Sequence, residues 1–326
     1  MKFTLVIACI AASVISLAQS QVTSRTFGGP WHDNAEQIIE AEDGGYYVIG
    51  TTGSAQNVDS DIYLLKLDDM LDYSWSRVIG GSASDRGTSL CLHPDGGVML
   101  FGYSNSYGTD GYNPIMVHVD ANGEEQELVV LDQVEWQFSK DIFPHPDGGY
   151  IITYHTYGGE FGNQDLVISH VASDGTANWE LSRGGPELDE WGDLILGENQ
   201  VIYAYGTKGI DEGSAAYLLG LDLAGSTVVE FDYGDGEYTG NGVEVVINGI
   251  VLVGGYRHFD EGGLDHYISK FSFDGELVYE RLEFTDLGEE VLHDVVEIDN
   301  GFICVGRSNA FGFGGFGVMV HRKSPS

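Results

Sequence analysis

Six short apolar runs recur along this chain of 326 residues at an almost fixed interval. They read "GGYYVIG" ending at Gly50, "GGVMLFG" at Gly102, "GGYIITY" at Tyr154, "QVIYAYG" at Gly206, "NGIVLVG" at Gly254 and "NGFICVG" at Gly306. Their spacings are 52, 52, 52, 48 and 52 residues. A period near fifty marks a repeat architecture, in which each unit buries its apolar face against its neighbours. Each unit parses into four short strands rich in β-branched and aromatic residues and bounded by Gly, Asp and Asn. The first is illustrated by "TSLCL" (88–92) and the second is the anchor run. The third reads "DIYLLKLD" (61–68), "PIMVHVD" (114–120), "DLVISHV" (165–171), "AYLLGLD" (216–222), "HYISKFS" (266–272) and "GVMVHRK" (317–323). The fourth reads "YSWSRVIGG" (73–81) and "ANWELSRGG" (177–185).

Four antiparallel strands per repeat, with no helical period, predict an all-β fold: a six-bladed β-propeller of four-stranded blades. The last unit stops after its third strand, while "VTSRTFGG" (22–29) matches the fourth strand "WSRVIGG". This match predicts that the N-terminal strand completes the last blade and closes the ring, removing two sheet edges. The high glycine and low proline content, 47 and 7 residues, suits the many tight turns required.

"HPDGG" occurs at 93–97 and again at 145–149. It falls between the first and second strands, where other units carry "EDGG" (42–45), "INGI" (247–250) and "DNGF" (299–302). Asp followed by two glycines is hairpin-turn chemistry, so the motif reads as architecture.

Residues 1–20 read as a signal peptide: Lys2, an apolar stretch, then the small-residue pattern Ala18-Gln19-Ser20. The expected mature chain, 21–326, is one secreted domain, periplasmic or extracellular, without membrane insertion. Cys91 and Cys304 remain after cleavage, in non-adjacent units, and are expected to be free and buried. The formal charge of −37 disfavours nucleic acid and anionic membranes as partners. Such self-repulsion also fits a soluble monomer.

The pattern Trp75 to Gly81, Asp85, "PDGGVMLFG" and "DIYLLKLD" resembles secreted bacterial propeller repeats, the broad superfamily with PQQ-like, kelch-like and delta-60-like members. The resemblance spans 22–323 and is best in the first two units; the later ones lose the DGG or the Trp. It implies the propeller fold and secretion but no particular reaction.

Strand alternation puts the tight turns on one face and the longer loops on the other. The long-loop face gathers Trp31, Trp136 and Trp191, with Tyr112, Phe161 and His258 in the loops between second and third strands. It also carries a column eleven residues before the turn glycine: Asp33, Asp85, Gln137, Asp189, Glu237 and Glu289. Exposed rings with polar neighbours suit a glycan, peptide or protein ligand, and carboxylates suit Ca²⁺, although no cofactor is predicted, since the acidic stretch "DYGDGEYTGNG" (232–242) lacks the spacing of a calcium loop. The candidate ligand-binding residues are therefore Trp31, Asp33, Asp85, Tyr112, Trp136, Phe161, Asp189, Trp191 and His258. The competing expectation is that each Asp caps its own loop and each ring packs between blades. A second column on the third strand, Lys66, His118, His170, Lys270 and Arg322, is basic and reads as local charge balancing. No hydrolase, zinc-protease or nucleotide-binding motif is present. The leading expectation is a non-enzymatic binding or scaffold module; the alternative is a hydrolase or lyase using acids at the channel mouth.

Overall fold

The computed structural model describes residues 24–30, 32–53, 59–109, 111–131, 136–234, 236–257, 263–283, 288–299, 301–309 and 316–323. The predicted leader lies outside them. No helix among the described residues is long and apolar enough to cross a membrane.

The described strands are antiparallel meanders. The first sheet comprises β1 (Asp33–Glu40), β2 (Tyr46–Thr52), β3 (Asp61–Leu67) and β4 (Tyr73–Ile79). The second comprises β5 (Asp85–Leu92), β6 (Val98–Ser104), β7 (Asn113–Val119) and β8 (Glu125–Val130). The third comprises β9 (Gln137–Pro144), β10 (Tyr150–Tyr157), β11 (Gln164–Val171) and β12 (Ala177–Arg183). The fourth, eight-stranded, joins β13 (Glu190–Leu196), β14 (Val201–Ile210), β15 (Gly213–Asp222) and β16 (Thr227–Tyr233) to β17 (Glu237–Val246), β18 (Gly249–Arg257), β19 (Asp265–Phe271) and β20 (Leu277–Glu283). The last holds β21 (Glu290–Ile298), β22 (Gly301–Ser308) and β23 (Gly317–Lys323). The first strands β1, β5, β9, β13, β17 and β21 pack side by side in succession, so the sheets stand around an axis as an all-β propeller.

The expected count and closure are corrected. The described residues form five hydrogen-bonded sheets, of which four carry four or more strands, rather than six separate four-stranded blades. The fusion falls where the repeat shortens to 48 residues: β14 and β15 run on to a two-residue turn at Asp211-Glu212, and their extended ends reach β17 through a parallel bridge, Ser214 to Glu237. The closure is overturned as well. Residues 24–29 form no strand, and the last sheet has three strands. The segment lies on the first sheet instead: Arg25 donates to Asp72 at 3.1 Å, and Phe27 lines a cavity of about 370 Å³ with Ile38, Val48, Tyr63 and Leu65. The feature behind the expectation is still visible. Arg25–Asp72, Arg77–Glu124 and Arg183–Glu230 each span 47 residues, so 24–29 sits on the following sheet much as a fourth strand does. What it lacks is a ladder to β23.

Strand alternation makes both faces of an inner sheet apolar. Ile49, Ile62 and Leu64 pack on Val98, Leu100 and Val117 of the next sheet, and equivalent layers fill each later junction. Cys91 and Cys304 are free and buried in these layers, and burial pushes the Cys304 thiol up to about 12. The "HPDGG" segments are turns. His93 N–H donates to Gly97 O, and Gly96 N–H to His93 O. Gly96 has φ +89°, and a Cβ on Gly97 would strike the Val119 carbonyl, so the two glycines serve different needs.

Candidate functional site

The acidic column is a set of loop ties. Gly29, Gly81 and Gly185 donate backbone N–H to Asp33, Asp85 and Asp189, four residues on, at 2.7, 2.7 and 2.8 Å. The other carboxylate oxygen reaches the end of the second strand: Asp33 takes Thr52 Oγ1, Asp85 takes Ser104 Oγ, and Asp189 takes Gly209 N–H at 2.7 Å. Glu237 holds Arg257 at 2.8 Å in the same relation. Burial pushes the Asp189 carboxyl up to about 6 against the pull of its two N–H donors. The structure does not bring these carboxylates together: among the described residues, neither cluster of metal-capable side chains contains one of them.

The loop aromatics divide. Trp191 is buried in the layer between third and fourth sheets and donates its indole N–H to Val167 O at 2.9 Å. Its backbone N–H is taken by His155 Nε2 at 2.7 Å, and burial holds that imidazole down at about 3. Trp136, by contrast, is 54% exposed. It meets Tyr112 edge-on at 5.7 Å, and Tyr112 meets Tyr103 at 5.5 Å and Phe138 at 5.3 Å. Phe138 meets Tyr103 at 5.0 Å and Tyr157 at 5.7 Å. Five rings thus cover the junction of the second and third sheets on the long-loop face. The loop backbone fixes them: Gln137 N–H donates to Tyr112 O and Tyr157 N–H to Trp136 O. The indole also lies so close to Gly111, at φ +74°, that no side chain fits there. Phe161, 45% exposed, lies on the next loop, whose backbone Asp165 holds through the Phe161 N–H at 2.9 Å. Trp31 and His258 lie outside the described residues.

Two of the nine sequence candidates, Tyr112 and Trp136, therefore share one surface. Sequence reading missed Tyr103, Phe138 and Tyr157. The available signal was positional, since each lies at a strand end on the long-loop face, next to an anchor or column residue.

Around the axis a polar column runs through the first strands. Ser89 Oγ bridges Gln37 and Asp141, while Asp193 accepts Leu194 and Val243 N–H at 2.8 and 2.9 Å. Burial, then the charge of Asp141, push the Asp193 carboxyl up to about 7.

The tight-turn face carries the basic column. Lys66 pairs with Asp43 at 2.8 Å, and His118 with Asp95 at 3.0 Å, so the third strand neutralises its own turn. In both "HPDGG" units the turn histidine stacks on the strand histidine: His93 on His118 at 3.8 Å and His145 on His170 at 4.0 Å.

No protein-family model matches the sequence, and no curated protein is significantly similar to it. Solved structures do resemble it. Sqt1 from Chaetomium thermophilum superposes with TM-score 0.51 at 16% identity, over 85% of this chain and 66% of that one. The same protein has been solved bound to the N-terminus of ribosomal protein L10. The Pan2 WD40 domain from Neurospora crassa gives 0.50 at 11% identity, over 83% and 86%. A puromycin hydrolase gives 0.54 at 15% identity, over 86% of this chain and 44% of that one. The chain thus spans about two thirds of Sqt1 and under half of the hydrolase. At these identities the likeness is one of fold. It defines the class, an all-β propeller, and that class includes both binding scaffolds and a hydrolase.

Proposed function

We propose that the protein is a secreted, non-enzymatic binding module. Its five-ring surface at the junction of the second and third sheets would engage a peptide or protein segment. The observation that carries this reading is the exposure of Trp136 and Tyr157, at 54% and 40%, on a rigid cluster of ring–ring contacts. Exposed, preordered rings give large contact area at little cost in side-chain entropy. A net charge of −37 favours a cationic segment, whose Lys or Arg can lie over the ring faces. The Sqt1 complex supports the reading by analogy, as a propeller that holds a peptide. A glycan is the other ligand such rings suit. The test is binding of a Lys/Arg-rich peptide array and an oligosaccharide array to the wild type and to Trp136→Ala. Peptide hits lost in the variant support the reading; glycan hits lost in the variant keep the site and change the ligand. Hits unaffected by the substitution reject the site.

A further inference from the structure

His266 is buried, with its side chain 5% exposed, yet neither ring nitrogen has a hydrogen-bond partner among the described residues. A buried polar group without a partner costs stability, so its persistence calls for an explanation. Its surroundings supply one. On the neighbouring strand β20, Glu283 stands directly opposite in register, its Oε2 at 3.5 Å from His266 Nε2. From the last sheet, β23 brings His321 Nε2 to 3.9 Å from Glu283 Oε1, with the two imidazole rings 5.5 Å apart. One donor atom from each of the three residues lies within 4.8 Å of the other two.

We infer that His266, Glu283 and His321 form a binding site for a divalent transition-metal ion of the zinc class, at the seam between the eight-stranded sheet and the last sheet. Two imidazoles and one carboxylate are the donor set that zinc accepts, leaving a fourth position for water. Calcium is a poor match, since it takes six to eight oxygens. Zinc bonds of about 2.0–2.1 Å place tetrahedral donors roughly 3.3 Å apart, so donors now within 4.8 Å of one another need close by at most about 1.5 Å. Arg281 Nε contacts Glu283 Oε1 and so orients the carboxylate, leaving Oε2 towards His266. The place in the fold gives the ion a role. Among the described residues β23 is the outer strand of the last sheet, and its valines Val318 and Val320 are 89% and 66% exposed. A metal bridging β19 and β20 to β23 would clip this edge to the body of the protein.

The third-strand column would hardly reveal the site, since the residues matching His266 are Ile62, Pro114, Leu166, Ala216 and Val318. The histidine replaces an apolar packing residue in one unit only.

The test is calorimetric titration of the full chain, stripped with EDTA, using ZnCl₂ and CaCl₂ separately, with thermal unfolding in parallel. The variants are His321→Ala and Glu283→Gln, both at partly exposed positions, with His118→Ala as a control against the His93–Asp95–His118 cluster. Unfolding of the metal-free variants establishes that they fold. We expect zinc to bind one site and raise the melting temperature. Affinity should fall at least tenfold in His321→Ala and Glu283→Gln and stay unchanged in His118→Ala, with no comparable effect of calcium. Absence of zinc binding, equal affinity in His321→Ala, or loss confined to His118→Ala would overturn the assignment.

Discussion

Two aromatic clusters of this protein use the same residue types to opposite ends. Between the halves of the eight-stranded sheet, Tyr203, Tyr205, Tyr238, Tyr256 and Tyr267 are buried in one layer. The Tyr205 and Tyr267 hydroxyls bond each other, and Tyr267 donates to Thr239 O at 2.9 Å. Burial drives the phenols of both Tyr205 and Tyr267 far above their ordinary range. Between the second and third sheets, Tyr103, Tyr112, Trp136, Phe138 and Tyr157 meet mostly edge-on, with Tyr112 and Phe138 tilted at 39°, and leave Trp136 and Tyr157 facing solvent. The difference lies in what covers each ring rather than in its place along the strand. Tyr238 and Tyr256 also stand next to strand ends, yet the layer between the halves of the eight-stranded sheet encloses them. Trp136 and Tyr157 at the other junction stay 54% and 40% exposed. Neither composition nor strand position separates the two; the packing of the neighbouring sheet does.

The sharpest way to break this contrast is to cut one ring from each cluster. Tyr267→Ala should cost about 3–5 kcal/mol in chemical denaturation, through lost burial and a stranded partner hydroxyl, without changing ligand affinity. Asp85→Ala should come next, at about 2–3 kcal/mol, because it frees Gly81 N–H and two serine hydroxyls, also without effect on the ligand. Trp136→Ala should behave in the opposite way. It should cost about 1 kcal/mol or less of stability and at least about tenfold in affinity, or ~1.4 kcal/mol. A Trp136→Ala variant as unstable as Tyr267→Ala would erase the distinction between core and site.

A further effect, read through pH rather than by truncating a ring, concerns the axis. The Asp193 carboxyl is raised to about 7, above its unfolded value near 3.8. Between these values the folded chain holds a proton that the unfolded chain has released, so this group's contribution to stability falls as pH rises. The melting temperature of Asp193→Asn, measured against wild type, should therefore climb from about pH 4 to about pH 7 and then level. A constant difference across that window would remove the axial carboxylate from the pH dependence.

Much of the fold was legible because the anchor run repeats both in sequence and in burial. Ile49, Phe101, Thr153, Tyr205 and Val253 occupy one column, and each is fully buried. The next member, Val305, is 39% exposed, and that break could not be read from the sequence. A valine on the last sheet looks like any other apolar anchor residue, and only its incomplete cover among the described residues distinguishes it. The closure prediction failed for a related reason. The match of "SRTFGG" to the fourth strand fits the way 24–29 meets the first sheet, but a local motif does not encode whether the same segment also pairs with β23, and it does not. The fused sheet left a clearer trace, in the 48-residue spacing and the shortened loop before Ser214. The candidate surface was half legible. Tyr112 and Trp136 stood out as loop aromatics, but Trp191 looked equally exposed; it is a residue of β13, opposite Gly206, and packs in the layer between the third and fourth sheets. His266 was invisible for the opposite reason, a polar residue at an apolar position whose partners lie on two other strands.

The most direct test of the central claim, that the five-ring surface is the binding site and the acidic column is scaffolding, is a paired measurement on one ligand. A Lys/Arg-rich peptide selected on the wild type should be titrated against wild type, Trp136→Ala and Asp85→Ala at physiological salt. The account predicts at least tenfold weaker binding by Trp136→Ala and unchanged affinity for the folded fraction of Asp85→Ala. Binding that survives in Trp136→Ala and disappears in Asp85→Ala would contradict it.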